Sequence, residues 1–95
     1  MYKTKRIEKA CTDFYEAEKQ YGSQIAEKLH QHLDQISAAE SVEMLVKFKV
    51  GKCHPLKGDR EEQYAMFLTK NWRLIFEKVN GTIHVVKIME IVDYH

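Results

Sequence analysis

Two groups of residues in this chain could move protons around a phosphate. One is His54-Pro55-Leu56-Lys57-Gly58-Asp59-Arg60, followed downstream by Trp72-Arg73. The other is the closing triplet Asp93-Tyr94-His95. Between them they supply two imidazoles, carboxylates, a phenol and several cations. That set suits scission of an RNA phosphodiester by the adjacent ribose 2′-OH. The hydroxyl must lose a proton, the 5′ oxygen must leave, and the crowded phosphorane must be stabilised. The first two are general acid–base tasks and the third is electrostatic. Imidazole, which titrates near neutrality when unperturbed, serves either proton transfer. Lys57 and Arg73 suit the phosphate, and an Arg can contact it with two parallel hydrogen bonds.

Each of these residues also has a plainer explanation. His54 precedes Pro55, which restricts its backbone to extended conformations and fixes the direction of its ring, but a loop His with no role is common. A terminal His is often frayed, although a terminal carboxylate on His95 would favour its charged form. Asp93 can orient an imidazole or pair with a cation. Tyr94 can donate to phosphate, stack on a base, or simply pack. Lys52, Lys57 and Arg60 make a basic loop, yet Asp59, Glu61 and Glu62 stand among them and oppose a phosphate backbone. Arg73 is the hardest to dismiss. It sits between Trp72 and Leu74 in an apolar run, where a strand would hold it on one face.

The elements that must position these groups follow from periodicity. Ile7, Ala10, Cys11, Phe14, Tyr15 and Ala17 recur at helical spacing behind a Thr4 cap, and predict one helix. Tyr21-Gly22-Ser23 interrupts it, with Ser23 as the next cap. Ile25, Ala26, Leu29, Leu33 and Ile36 predict a second helix folded back on the first. Ser41 is expected to cap one further turn through Met44 and Leu45. Strands are expected over 64–69, 72–79 and 82–92, with Lys70-Asn71 as one turn and Asn80-Gly81 as a tight hairpin. A weak strand is expected near 47–50 or 1–3. The fold class is α+β: an N-terminal antiparallel helix hairpin on one face of a small, mainly antiparallel sheet. Parity turns Trp72, Leu74 and Phe76 toward the helices. Arg73, Ile75, Glu77 and Val79 then face the other way, onto a shallow, partly polar surface.

Length and composition set the outer bounds. The 95 residues, 44% hydrophobic and 31% charged, are expected to form one domain over 1–95 with one modest core. No apolar run approaches the ~20 residues of a membrane span, and no apolar signal core follows the basic start, so a cytoplasmic protein with no membrane partner is expected. A net charge of +1 neither demands nor excludes nucleic acid. Cys11 and Cys53 are expected as free thiols, Cys11 buried on its helix face. Cys53 beside His54 could suggest a nucleophile or ligand, but no Cys or His pair has zinc spacing. His30 and His32, two apart on a helix, point to different faces, and His84 has no partner ligand. No metal and no cofactor are expected.

The three motifs His54–Arg60, Asn71-Trp72-Arg73-Leu74-Ile75-Phe76-Glu77 and Asp93-Tyr94-His95 carry a family resemblance. In order and spacing the chain resembles the RelE-superfamily toxins of bacterial type II toxin–antitoxin modules, especially the HigB-type or plasmid-maintenance killer branch. The resemblance covers essentially the whole chain, with its specific motifs in the second half. It implies a RelE/ParE-like fold and a ribosome-dependent endoribonuclease that cleaves messenger RNA. It implies catalysis by His54, Asp93, Tyr94 and His95, with Lys57 and Arg73 holding the scissile phosphate and Arg60 and Lys52 contributing to RNA binding. It further implies two partners: a cognate antitoxin, of the helix-turn-helix DNA-binding kind, and the ribosome with bound message. Operator DNA would be reached only through the antitoxin. The alternatives are a non-enzymatic, protein-binding toxin of the gyrase-poisoning kind, or an inactive toxin that serves only its antitoxin.

Overall fold

The computed structural model describes residues 1–58, 62–79 and 86–93. Helix α1 spans Lys5–Thr12, and the Thr4 hydroxyl oxygen accepts from Ile7 N at 3.1 Å to cap it. The expected single first helix is in fact two. At Asp13 the backbone turns extended, and its carboxylate accepts from Tyr15 N at 2.9 Å to start α2, Phe14–Tyr21. A side chain that competes for the backbone in this way explains the break. Gly22 ends α2 with φ +89°, a conformation that favours glycine, and itself takes the cap position of α3, Ser23–Ala38. Ser23 is therefore the first residue of α3, not its cap. The short helix α4, Val42–Lys47, is capped by Ser41 as expected, whose Oγ accepts from Met44 N at 3.2 Å.

Segment 47–50 is the end of α4 and the entry to a 3₁₀ turn at Val50–Lys52, not a strand. Among the described residues the sheet has four strands in the order β1-β2-β3-β4, all antiparallel: β1 His54–Pro55, β2 Gln63–Phe67, β3 Trp72–Lys78 and β4 Val86–Asp93. The other weak-strand expectation holds in reduced form, because Tyr2 makes a parallel bridge to Ile88. The turn between β2 and β3 falls at 68–71, around the expected Lys70-Asn71. The Asn80-Gly81 hairpin, the first part of the last expected strand, and His84 lie outside the described residues.

Apolar burial joins the layers. Leu74 and Phe76 are buried with Ala10, Ala17, Leu29 and Met66, and Trp72 packs its edge on Tyr21 with ring centroids 5.6 Å apart. These side chains face the helices, as parity predicts. Among the described residues, no helix is long and apolar enough to cross a membrane.

The opposite sheet face is less bare than expected. Ala65 and Ile75 pair across β2 and β3 on that face, and both are buried. They lie between two rows of longer side chains. Gln63 Nε2 donates to Glu77 Oε2 at 3.0 Å on one side, and Phe67 pairs with Arg73 on the other.

Candidate active site

The β2–β3 register puts Phe67 opposite Arg73, on the face away from the helices. Directly opposite residues on antiparallel strands share a face, so these side chains meet. The Arg73 guanidinium carbon lies 3.4 Å from the Phe67 ring centroid. Its Nη1 donates to the carbonyls of Thr69, Lys70 and Trp72 at 3.0–3.1 Å. Those bonds tie the guanidinium to the turn that joins the two strands and fix its plane on the aromatic ring.

Two further site residues converge on the same ring. Lys52 holds its ammonium 5.1 Å from the Phe67 centroid. His54 approaches edge-on at 6.2 Å. The register agrees, since His54 pairs with Ala65, two positions from Phe67 on the same face. The sequence treats His54 as a loop residue, whereas it lies on the short edge strand β1. Its Nδ1 is 2.9 Å from the Lys52 carbonyl, an oxygen that can only accept, so Nδ1 carries the proton. The neutral ring then presents Nε2 as a base, and the charged ring presents it as an acid. His54 is exposed, so substrate can reach it.

The carbonyl of Phe67 is also held, from beneath. His32 on α3 is almost wholly buried at 3% exposure, and its Nε2 donates to Phe67 O at 2.7 Å while Nδ1 meets Gln35 Oε1 at 2.7 Å. Gly51 packs against that ring. A Cβ added there would lie 2.8 Å from His32 Cε1, and φ is +56°. The chain is therefore wound tightly under Phe67, and its left-handed run continues to Lys52 at φ +56°. A lysine in this conformation costs roughly 1–2 kcal/mol, and such strain persists only where the surroundings impose it.

Lys57 is exposed, just beyond the Leu56 N to Gln63 O bond that closes the β1–β2 hairpin, and is not part of this cluster. Asp93 pairs with Trp72, so alternation turns it toward the helix face, away from that of His54 and Arg73; its neighbour Val92 pairs with Arg73. Strands β1 and β4 are three spacings apart, roughly 14 Å. Phe67 of β2 and Arg73 of β3 lie within that interval. Arg60, Tyr94 and His95 lie outside the described residues.

The remaining candidate ligands have structural duties. Burial pushes the Cys53 thiol up to about 12, and Cys11 likewise to about 12. At neutral pH neither is a thiolate, which removes Cys53 as a nucleophile. His30 Nε2 donates to Ala10 O at 2.8 Å, and its ring packs edge-on against Phe14. Among the described residues no group of three or more His, Cys, Asp or Glu is arranged to hold a metal.

Phe67 escapes the sequence reading, and His32 is weighed there only as a possible metal ligand with His30. Phe67 looks like any apolar strand residue, and its role appears only once the register pairs it with Arg73. His32 could have been suspected as a core residue, because it follows Leu29 by three and so shares its helix face.

The family model described as the RelE-like toxin of the type II toxin–antitoxin system HigB matches residues 4–95. The chain belongs to that family. Endoribonuclease HigB of Proteus vulgaris is 33% identical over 73 residues, which cover 77% of this chain and 75% of that protein. Among solved structures, the YoeB–YefM complex from Staphylococcus aureus matches with a TM-score of 0.67 at 19% identity, covering 100% of this chain and 93% of that one. The YoeB/ParE toxin from Agrobacterium tumefaciens matches at 0.59 and 19% identity, covering 90% and 91%. These two likenesses establish the fold. This HigB-like chain is thus a RelE-like toxin of a type II toxin–antitoxin system, with the α+β architecture that its motifs imply.

Proposed function

We propose that this HigB-like toxin is an endoribonuclease that cuts messenger RNA on the ribosome, through attack of a ribose 2′-OH on the adjacent phosphate. The reading is carried by one observation: Lys52, His54 and Arg73 converge on the Phe67 ring. An exposed imidazole with a fixed tautomer stands there beside two cations. His54 Nε2 takes or gives a proton at one oxygen of the reacting phosphate. Arg73 and Lys52 offset the charge that builds on the phosphorane, and Lys57 meets the RNA strand from the hairpin. The second proton transfer falls to the residues at the end of β4. In this reading His95 is the main partner of His54, Tyr94 donates to phosphate or stacks on a base, and Asp93 orients them. Arg60 adds to RNA binding. The 2′ oxygen forms a bond to phosphorus, the bond from phosphorus to the 5′ oxygen breaks, and the proton lost from the first is matched by one given to the second.

The name of the Proteus vulgaris relative supports the activity. Membership of a type II toxin–antitoxin family supports a cognate antitoxin as the physiological partner. We assign this chain a single domain, 1–95, and a cytoplasmic site of action.

The test is cleavage of a defined message on programmed ribosomes. His54→Ala should lower the single-turnover rate by ~10² to 10⁴, the range for one acid–base group. His95→Gln should do the same. Undiminished cleavage by His54→Ala, in a variant with the melting temperature of the parent chain, would remove His54 from the mechanism.

A further inference from the structure

A second cationic site adjoins the first. An open cleft of about 390 Å³ is bounded by Lys28 and His32 from α3, Lys52 and Phe67 from the cluster above, and Thr69 and Lys70 from the β2–β3 turn. Three lysines thus border one recess. Among the described residues no acidic side chain lines it. Among the described residues none of the three lysines is paired with a carboxylate. The polar lining is arranged to donate. Thr69 Oγ1 accepts from Trp72 N at 3.2 Å, which leaves its hydroxyl proton to be given elsewhere. The His32 ring is committed to Phe67 O and Gln35, so it forms a fixed wall. Lys52 is held at the boundary by a left-handed backbone, and its ammonium stands over the same Phe67 ring that carries Arg73.

We propose that this cleft is a subsite for a backbone phosphate of the RNA strand being cut, away from the scissile bond. The inference rests on the endoribonuclease reading above and extends it. A recess bordered by three lysines beside the Lys52–His54–Arg73 cluster selects an anion. The continuity of the two sites through Lys52 and Phe67 selects one on the same strand. Lys28 and Lys70 are the lysines of the cleft that do not reach Phe67, so they report on the subsite alone. Contacts to a strand phosphate position the RNA and carry no base preference.

The probe is a short single-stranded oligoribonucleotide with 2′-O-methyl riboses, which binds but cannot be cut. Its affinity for the full chain is measured by fluorescence anisotropy across a salt series. Each phosphate neutralised contributes ~0.7 to the slope of log affinity against log salt for single strands. The Lys28→Gln, Lys70→Gln double variant should flatten that slope by about 1.4, with a loss of affinity at low salt of about tenfold or more. On programmed ribosomes its defect should appear in KM, while His54→Ala lowers kcat. An unchanged slope in the double variant, or no binding by the parent chain at low salt, overturns the proposal. So does a double variant that binds the oligonucleotide normally but loses affinity for ribosomes without message, since the cleft would then serve the ribosome. If the flattened slope is found but the parent chain cuts no message, the subsite stands and the catalytic reading fails.

Discussion

Replacing Phe67 tests whether one aromatic ring organises the active site. Phe67→Leu keeps an apolar side chain of similar reach and removes the π face. The structure sets the scale of the loss. Arg73 lies against the ring at 3.4 Å, a contact worth ~1 kcal/mol for a partly exposed pair. Lys52 at 5.1 Å is near the outer limit of such an interaction, ~0.5 kcal/mol. The edge contact of His54 adds ~0.5 kcal/mol. If all three act on the positioning of the reacting groups, about 2 kcal/mol is lost from the transition state, or ~30-fold in rate. Global stability should fall much less, because Phe67 is only half-buried, and a hydrophobic swap of similar volume usually costs under ~1.5 kcal/mol. The assay is single-turnover cleavage on programmed ribosomes, beside a thermal melt. Phe67→Tyr keeps the ring and should retain most activity. Arg73→Lys keeps the charge but loses the flat guanidinium, and combined with Phe67→Leu it should cost less than the sum of the two. Parental cleavage by Phe67→Leu, or strict additivity of the pair, would refute the claim that the ring positions these groups.

Three other outcomes follow from the same structure. Gly51→Ala should destabilise the fold by about 2–4 kcal/mol, from its left-handed φ and from displacement of the His32 ring off the Phe67 carbonyl; in a His32→Ala background, denaturant titration should find only the ~1–2 kcal/mol backbone part. The two buried thiols, both raised to about 12 from an ordinary value of 9.0, should make the protein lose stability as pH rises from about 9 toward 12: the unfolded chain gives up its thiol protons first, so the native state binds more protons across that window. The Cys11→Ala, Cys53→Ala variant, less stable at neutral pH, should lose less over the same range in equilibrium unfolding. Asp13→Ala should cost about 1 kcal/mol by removing the cap of α2, seen as a lowered melting temperature with cleavage retained.

What the sequence made legible, and what it hid, divides by the range of the interactions involved. The second helix stripe, the Ser41 cap and the inward turn of Trp72, Leu74 and Phe76 are set by neighbours within a few positions and appear as read, whereas Tyr15 of the first stripe is exposed. The break at Asp13 is local too, but the apolar stripe runs unbroken from Ala10 and Cys11 to Phe14 and Ala17. Periodicity therefore reports one helix where a capping carboxylate makes two. Strand β1 has only two residues, too few for any period, and exists because the backbone of His54 and Pro55 finds Ala65 and Tyr64. Register decides the rest, since a shift of one residue exchanges the faces. Parity within β3 correctly sends Arg73 away from the helices, but nothing within one strand says that Phe67 will be its partner. Nor does it say that Asp93 will pair with Trp72 and so turn from His54. The same logic bears on mechanism. On this sheet His54 of β1 and Asp93 of β4 are separated by two strands and turned to opposite faces, so those two groups cannot meet directly. In the proposed mechanism the second proton-transfer group works with His54 through the substrate, laid across Phe67 and Arg73. A strand of RNA bound there would complete the site, which makes substrate, as much as fold, the element that assembles the catalytic pair.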